Sequence, residues 1–152
     1  MAALSIRLAV PVDLAFVLSG MKEIVAREKE FFNASLQKRL ATKAIAAKKV
    51  RVALLNGKRV GFLWFDFSES FPFGVAYGAY SSRYAWVSWA FVEKKFRGKG
   101  VGRSLYGDLQ KICRKKKVKK ILTDVFEING ESIRFHTRIG FKPIVRIYEK
   151  SV

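Results

Sequence analysis

Cysteine and histidine are almost missing from this chain, which has one of each among 152 residues. Cys113 alone permits no internal disulfide, and so sparing a use of cysteine fits a reducing, cytoplasmic compartment. With only Cys113 and His136 available, a zinc site of the usual kind cannot be assembled, and no metal is expected. A Ser-His-Asp or Cys-His engine is equally hard to build unless His136 is its base. Long apolar runs are missing too. The longest, residues 71–80 and 84–92, are parted by Ser81, Ser82 and Arg83 and fall short of the roughly 20 residues that a membrane-spanning helix needs. The first residues lack the basic start, apolar stretch and small-residue cleavage site of a secretory signal. No repeat, low-complexity tract or flexible linker breaks the chain, so a single domain over residues 1–152 is expected.

Acidic residues are scarce. Asp plus Glu is 12 against 30 for Lys plus Arg, a formal charge of +18. Such a surface attracts polyanions: nucleic acid, anionic membrane or phosphate-bearing cofactors. The densest block is Lys111 to Lys120, with Arg114, Lys115, Lys116, Lys117 and Lys119 between; Lys94, Lys95, Arg97, Lys99 and Arg103 form a second group. The first block reads equally as a solvated face and as a functional anion-binding surface, with nucleic acid the less favoured partner because no nucleic-acid motif accompanies it.

Apolar residues, by contrast, make up half of the chain and aromatics 14%, which excludes disorder as a class. Residues 4–9 read as a short strand. Pro11 opens a helix to about Lys29, with Asp13 as an acidic residue in its first turn. Asn33 caps a second helix to Lys48. Residues 50–55 and 59–67 form a hairpin around Asn56-Gly57. Residues 68–82 are an irregular aromatic connection, and 83–93 another strand. A Gly-rich turn at 97–102 leads into a helix to about Lys117, in which Val101, Leu105, Leu109, Ile112 and Cys113 share a face, so Cys113 reads as core packing. Residues 119–128 read as a strand, 129–139 as a short helix stopped by Gly140, and 141–150 as one or two closing strands. The order is mixed α/β.

The informative stretch is strand, then Arg97-Gly98-Lys99-Gly100-Val101-Gly102, then helix. Glycines let the backbone approach a phosphate, and the first free amides of a helix favour an anion. Arg97 and Lys99 add positive charge there. A Walker A loop is ruled out, since Glu93 stands where its first glycine belongs and Gly100 follows Lys99. The dinucleotide fingerprint fails on glycine spacing.

With these residues in place, the chain resembles the GNAT superfamily of acetyl-coenzyme A-dependent N-acetyltransferases. Its signature, R/Q-x-x-G-x-G/A between the fourth strand and third helix, fits Arg97, Gly100 and Gly102. A second similarity lies in Asn129, Ser132, the Phe135-His136 pair and Gly140-Phe141. The resemblance implies an α/β fold with a mixed, mostly antiparallel central sheet, splayed strands 4 and 5, and flanking helices. It implies acetyl-CoA as co-substrate, its pyrophosphate on the amides of Arg97, Gly98, Lys99, Gly100, Val101 and Gly102, with Arg103 and Ser104 close by. The pantetheine arm would pair with Ala90, Phe91 and Val92, and Asn129 and Ser132 would contact the cofactor from the other side.

The implied reaction is transfer of acetyl to a primary amine (a protein N-terminus, a lysine or a small amine) by direct attack in a ternary complex. Asp124 is the expected base, with Glu127 and Glu93 behind it. His136 occupies the position of the family's Tyr acid, with Tyr106 and Tyr148 as substitutes. Ser88 stands where polyamine-acetylating relatives carry a Glu, which weakens a polyamine acceptor. Phe71, Pro72, Phe73, Tyr77, Tyr80, Tyr84, Trp86 and Trp89 read as an acceptor pocket or as core and dimer packing, with Asp66 and Glu69 at its rim. Two competing readings are a basic nucleic-acid-binding module and a non-catalytic acyl-CoA-binding module on the same scaffold.

Overall fold

The computed structural model describes residues 3–69 and 83–152. The chain starts with β1 (Leu4–Leu8), then a single 3-10 turn (Pro11–Asp13) and two helices, α1 (Leu14–Arg27) and α2 (Ala34–Ala46). Strands β2 (Val50–Leu55), β3 (Lys58–Ser68) and β4 (Tyr84–Val92) follow. A 3-10 turn (Lys94–Phe96) leads to α3 (Val101–Lys115), a short β5 (Ile121–Thr123) and α4 (Gly130–Arg138). The sheet order is β1-β2-β3-β4-β5. The first four strands pair antiparallel, and β5 joins β4 in parallel. This is the mixed, mostly antiparallel α/β sheet that the resemblance implied.

The local signals explain most elements. Asn56 and Gly57 both have positive φ, as the tight turn between β2 and β3 requires. The Asn33 side chain accepts the Leu36 amide at 3.0 Å and so caps α2. Alternation along β3 sends Leu63 and Phe65 to one face and Phe62 to the other. Leu63 and Phe65 pack with Leu105, Leu109 and the buried Cys113 of α3. Phe62 packs with Val17 and Met21 of α1 and Ala44 of α2. The sheet therefore separates α1 and α2 from α3, and Cys113 is core, as its helical phase indicated.

Three expectations are corrected. The first helix does not start at Pro11: a 3-10 turn precedes α1, and Asp13 is not an exposed first-turn charge but wholly buried. The strand expected over 119–128 shrinks to Ile121–Thr123, because only Ala85–Val87 of β4 runs alongside it. No strand forms over 141–150. The edge it would extend, β5, is only three residues long, and most of the segment lies exposed. The aromatic cluster from Phe71 to Tyr80 lies outside the described residues.

Candidate functional site

The site starts from an irregularity in β4. Trp64 of β3 pairs with Trp89, but Phe65 pairs with Val87, so Ser88 is an extra residue bulging out of the ladder. Pairing with β5 ends at that point: Val87 lies beside Thr123, and nothing beyond it is matched. The Thr123 hydroxyl donates to the Val87 carbonyl at 3.0 Å and ties the base of the opening. Past this tie the strands part, and a cleft of about 580 Å³ opens between Trp89–Val92 on one wall and Asp124–Phe126 on the other.

The Gly-rich turn floors one end of the cleft. Gly98 and Gly100 have φ of 73° and 82°, in the left-handed region that favours glycine. The first α3 backbone bond runs from the Ser104 amide to the Gly100 carbonyl at 2.9 Å. The amides of Val101, Gly102 and Arg103 precede it and have no carbonyl within the helix to serve. Gly102 has a different reason to be small, since a Cβ there would lie 2.9 Å from the Phe135 ring of α4.

Arg97 is not the free cation its position suggested. Its Nε donates to the Val92 carbonyl at 2.9 Å, and its two terminal nitrogens reach Glu23 at 2.8 Å and Glu131 at 3.3 Å. Arg27 pairs with the same two carboxylates, at 2.9 and 3.3 Å. These four charges cancel and brace α1, the turn and the start of α4 against one another. Lys99 lies over the Phe96 ring at 5.6 Å.

Helix α4 supplies the opposite wall. Asn129 caps it, its Oδ1 accepting the Ser132 amide at 3.2 Å. Its Nδ2 donates to Glu28 Oε1 at 3.1 Å, so both ends of this buried side chain are engaged. His136 is buried as well. Its Nδ1 lies 2.8 Å from the Ser132 carbonyl, which can only accept, so Nδ1 carries the proton. Nε2 is then the acceptor of the Tyr106 hydroxyl at 2.7 Å. Burial pushes the His136 pKa down and the Tyr106 hydroxyl up, so both stay neutral.

A stability prediction follows. The folded pKa of His136 lies below the ordinary 6.5, so protons bind the unfolded chain more readily. This group's contribution is complete above pH 6.5 and is lost as pH falls from there through the folded value. Melting temperatures followed from pH 7.5 to 5.5 should drop less for His136→Gln than for the wild type. Parallel curves would show that the imidazole stays uncoupled.

The cleft gathers Ala90, Phe91, Val92, Arg97, Gly98, Gly100, Val101, Gly102, Arg103, Asp124, Asn129, Ser132 and His136, but Lys99 and Ser104 are not in its lining. None of the Lys111–Lys120 block lines it either. Glu28, Tyr106, Arg134 and Arg138 line it and were missed as site residues from sequence, Tyr106 having been only a substitute acid. Arg134 and Arg138 share an α4 face by their spacing of four, a signal that was available. Glu28 looks like any charge at a helix end.

Comparison with known proteins agrees with this geometry. Residues 19–141 match the acetyltransferase (GNAT) family. No curated protein matches at a significant level. Among solved structures, an aminoglycoside N-acetyltransferase, AAC(6')-Iy, in complex with CoA superposes with a TM-score of 0.79 at 18% identity, covering 100% of this chain and 96% of that one. A predicted acetyltransferase with acetyl-CoA from Clostridium acetobutylicum gives 0.74 at 17%, covering 98% and 96%. A ribosomal-protein-alanine N-acetyltransferase from Brucella melitensis biovar Abortus 2308 gives 0.72 at 16%, covering 99% of each chain. The parted strands, the glycine turn and the matched 123-residue span, 19 through 141, lead to one conclusion: this chain belongs to the GNAT family and is an acetyl-CoA-dependent N-acetyltransferase.

Proposed function

We propose that the protein moves the acetyl group of acetyl-CoA to a primary amine by direct attack within a ternary complex, the whole chain acting as one transferase domain. The observation that carries this is the parting of β4 from β5 at the Ser88 bulge, in a cleft that the glycine turn also lines. An extended pantetheine arm fits there as an added strand along Ala90, Phe91 and Val92. The pyrophosphate would rest on the amides of Val101, Gly102 and Arg103, with Gly98 and Gly100 leaving room for it and Ser132 facing it from α4. With Arg27 and Arg97 tied into ion pairs, Arg103, Arg134 and Arg138 are the lining cations left to meet phosphate. Lys99 and Ser104 serve only at the rim.

Asp124, the base that the family resemblance implied, stands exposed at the cleft edge, and Glu28 stands half-buried in the same wall. In this reading His136 braces the cleft wall and does not serve as the acid. Its Nε2 has no proton to give, and Tyr106 and Ser132 hold both ring nitrogens. The leaving thiolate then takes its proton from solvent, and His136→Gln keeps turnover within about tenfold of wild type, where loss of a true acid costs roughly 10² to 10⁴.

Amine acceptors are suggested by the neighbours: an aminoglycoside for one, a ribosomal-protein alanine for another. The test is calorimetry with acetyl-CoA, followed by thiol release with a panel holding neamine, an alanine-initiated peptide and a lysine peptide. Binding of acetyl-CoA with thiol release for at least one amine is expected. Absence of acetyl-CoA binding overturns the reading.

A further inference from the structure

The acceptor arrives as an ammonium ion, and something must take its proton before nitrogen can attack. Three carboxylates line the cleft: Glu28, Asp124 and Glu131. Glu131 is committed to Arg27 and Arg97. Asp124 lies exposed to water at the cleft edge, with no neighbour fixing its side chain among the described residues. Glu28 differs from both. It caps the C-terminal end of α1, is half-buried in the cleft wall, and has one oxygen fixed by the Asn129 amide at 3.1 Å. That bond reaches from α1 to the start of α4 and orients the carboxylate, and among the described residues its second oxygen has no hydrogen-bond partner.

Resting on the transferase reading above, we propose that Glu28 is the general base that deprotonates the acceptor amine, with Asn129 as its positioning residue. Glu28 takes one proton from the ammonium. The freed lone pair attacks the thioester carbon, a C–N bond forms and the C–S bond breaks. The nitrogen then sheds its second proton to solvent as the thiolate gains one.

The charge environment suits the role. Burial raises the Glu28 pKa above its ordinary 4.5, and Asp124 and Glu30 raise it further. The Asn129 hydrogen bond and Arg27 pull the other way without cancelling the rise. A carboxylate that holds protons more tightly accepts one from an amine more readily. Ionised Glu28 is thus a cost to the fold near neutrality, as expected of a group placed for chemistry.

The test uses the full chain with acetyl-CoA and the amine of the panel that turns over fastest. Glu28→Gln keeps an oxygen for Asn129 and a similar shape. Its kcat is expected to fall at least about 100-fold, with acetyl-CoA affinity unchanged by calorimetry and a melting temperature at pH 7 equal to or above wild type. Asp124→Asn is expected to move the acid limb of the kcat/KM profile to lower pH, since it removes a charge that raises Glu28. A Glu28→Gln variant with at least half of wild-type kcat overturns the assignment. So does a profile unmoved in Asp124→Asn alongside a 100-fold loss, which would make Asp124 the base. A wild type that turns over while Glu28→Gln keeps pace overturns Glu28 alone, whereas one that binds no acetyl-CoA, or acetylates no amine, overturns the transferase reading with it.

Discussion

Asp13→Ala lowers the stability of the protein by about 3 kcal/mol, a drop of roughly 6 to 12 °C in melting temperature for a chain of this size. Asp13 is 0% exposed. It accepts two hydrogen bonds from Arg7 at 2.6 and 3.0 Å, one from Arg59 at 2.5 Å, and one from the Val10 amide at 2.8 Å. Those donors come from β1, β3 and the turn before α1, so one carboxylate fastens three parts of the fold. Its removal leaves two neighbouring guanidiniums and an amide without their acceptor. Both arginines are about a third exposed and can rehydrate, which keeps the cost at the lower end for a broken buried pair.

The pH dependence has a definite sign. Burial raises the Asp13 pKa, but the bonds from Arg7, Val10 and Arg59 outweigh it and hold the pKa well below the ordinary 3.8. The contribution is therefore complete above about pH 4 and is lost as pH falls through the lower folded value. Urea titrations of wild type and Asp13→Asn should show a gap at pH 7 that narrows below pH 4. A gap that stays constant down to pH 2 would mean that shape, and not charge, is what Asp13 supplies.

Asp13 also shows where sequence reading stops. Next to Pro11 it reads as an ordinary acidic residue in the first turn of a helix. Its partner Arg59 lies 46 positions away, and only the closed sheet brings the two together. The elements that were legible depend on local rules: Asn56-Gly57 for the hairpin, Asn33 for the α2 cap, and the apolar stripe of α3. The glycine turn was legible because backbone sterics show in residue type. The Ser88 bulge was not, since a bulge is a relation between two strands and leaves no mark on composition. The alternation across 141–150 resembled a strand, but alternation gives only a face, and pairing needs an edge that β5 is too short to offer.

The same distinction sorts the site. Glycines and their amides could be placed from sequence because their role is conformational. Charged side chains could not, because their role depends on the partner each one finds. Arg97 fits the family signature yet spends its guanidinium on Val92, Glu23 and Glu131. Asn129 fits as a cofactor contact yet holds Glu28. Both residues build the walls of the cleft and set the position of what faces it.

Gly100→Val abolishes tight acetyl-CoA binding, with an expected rise in the dissociation constant of at least about 30-fold, because phosphate-facing charge-assisted bonds are worth roughly 1.5 to 3 kcal/mol each. Gly100 is the N-cap of α3 at φ 82°. A Cβ there would meet nothing within 4 Å, so space is not the obstacle. The obstacle is conformation: a β-branched residue is strongly disfavoured at that φ, and the turn relaxes by rotating away. The amides of Val101, Gly102 and Arg103 then lose their common aim. Since β4, along which the acyl arm is proposed to lie, is untouched, the loss should be confined to the pyrophosphate. Calorimetry with CoA and with pantetheine, which lacks that group, separates the two contributions. CoA should lose its advantage over pantetheine in Gly100→Val, while pantetheine binds as it does to wild type. Gly107→Ala, mid-helix on α3 with open space around it, serves as the control and should leave both affinities unchanged. Wild-type CoA affinity in Gly100→Val would move the phosphate site away from this turn altogether.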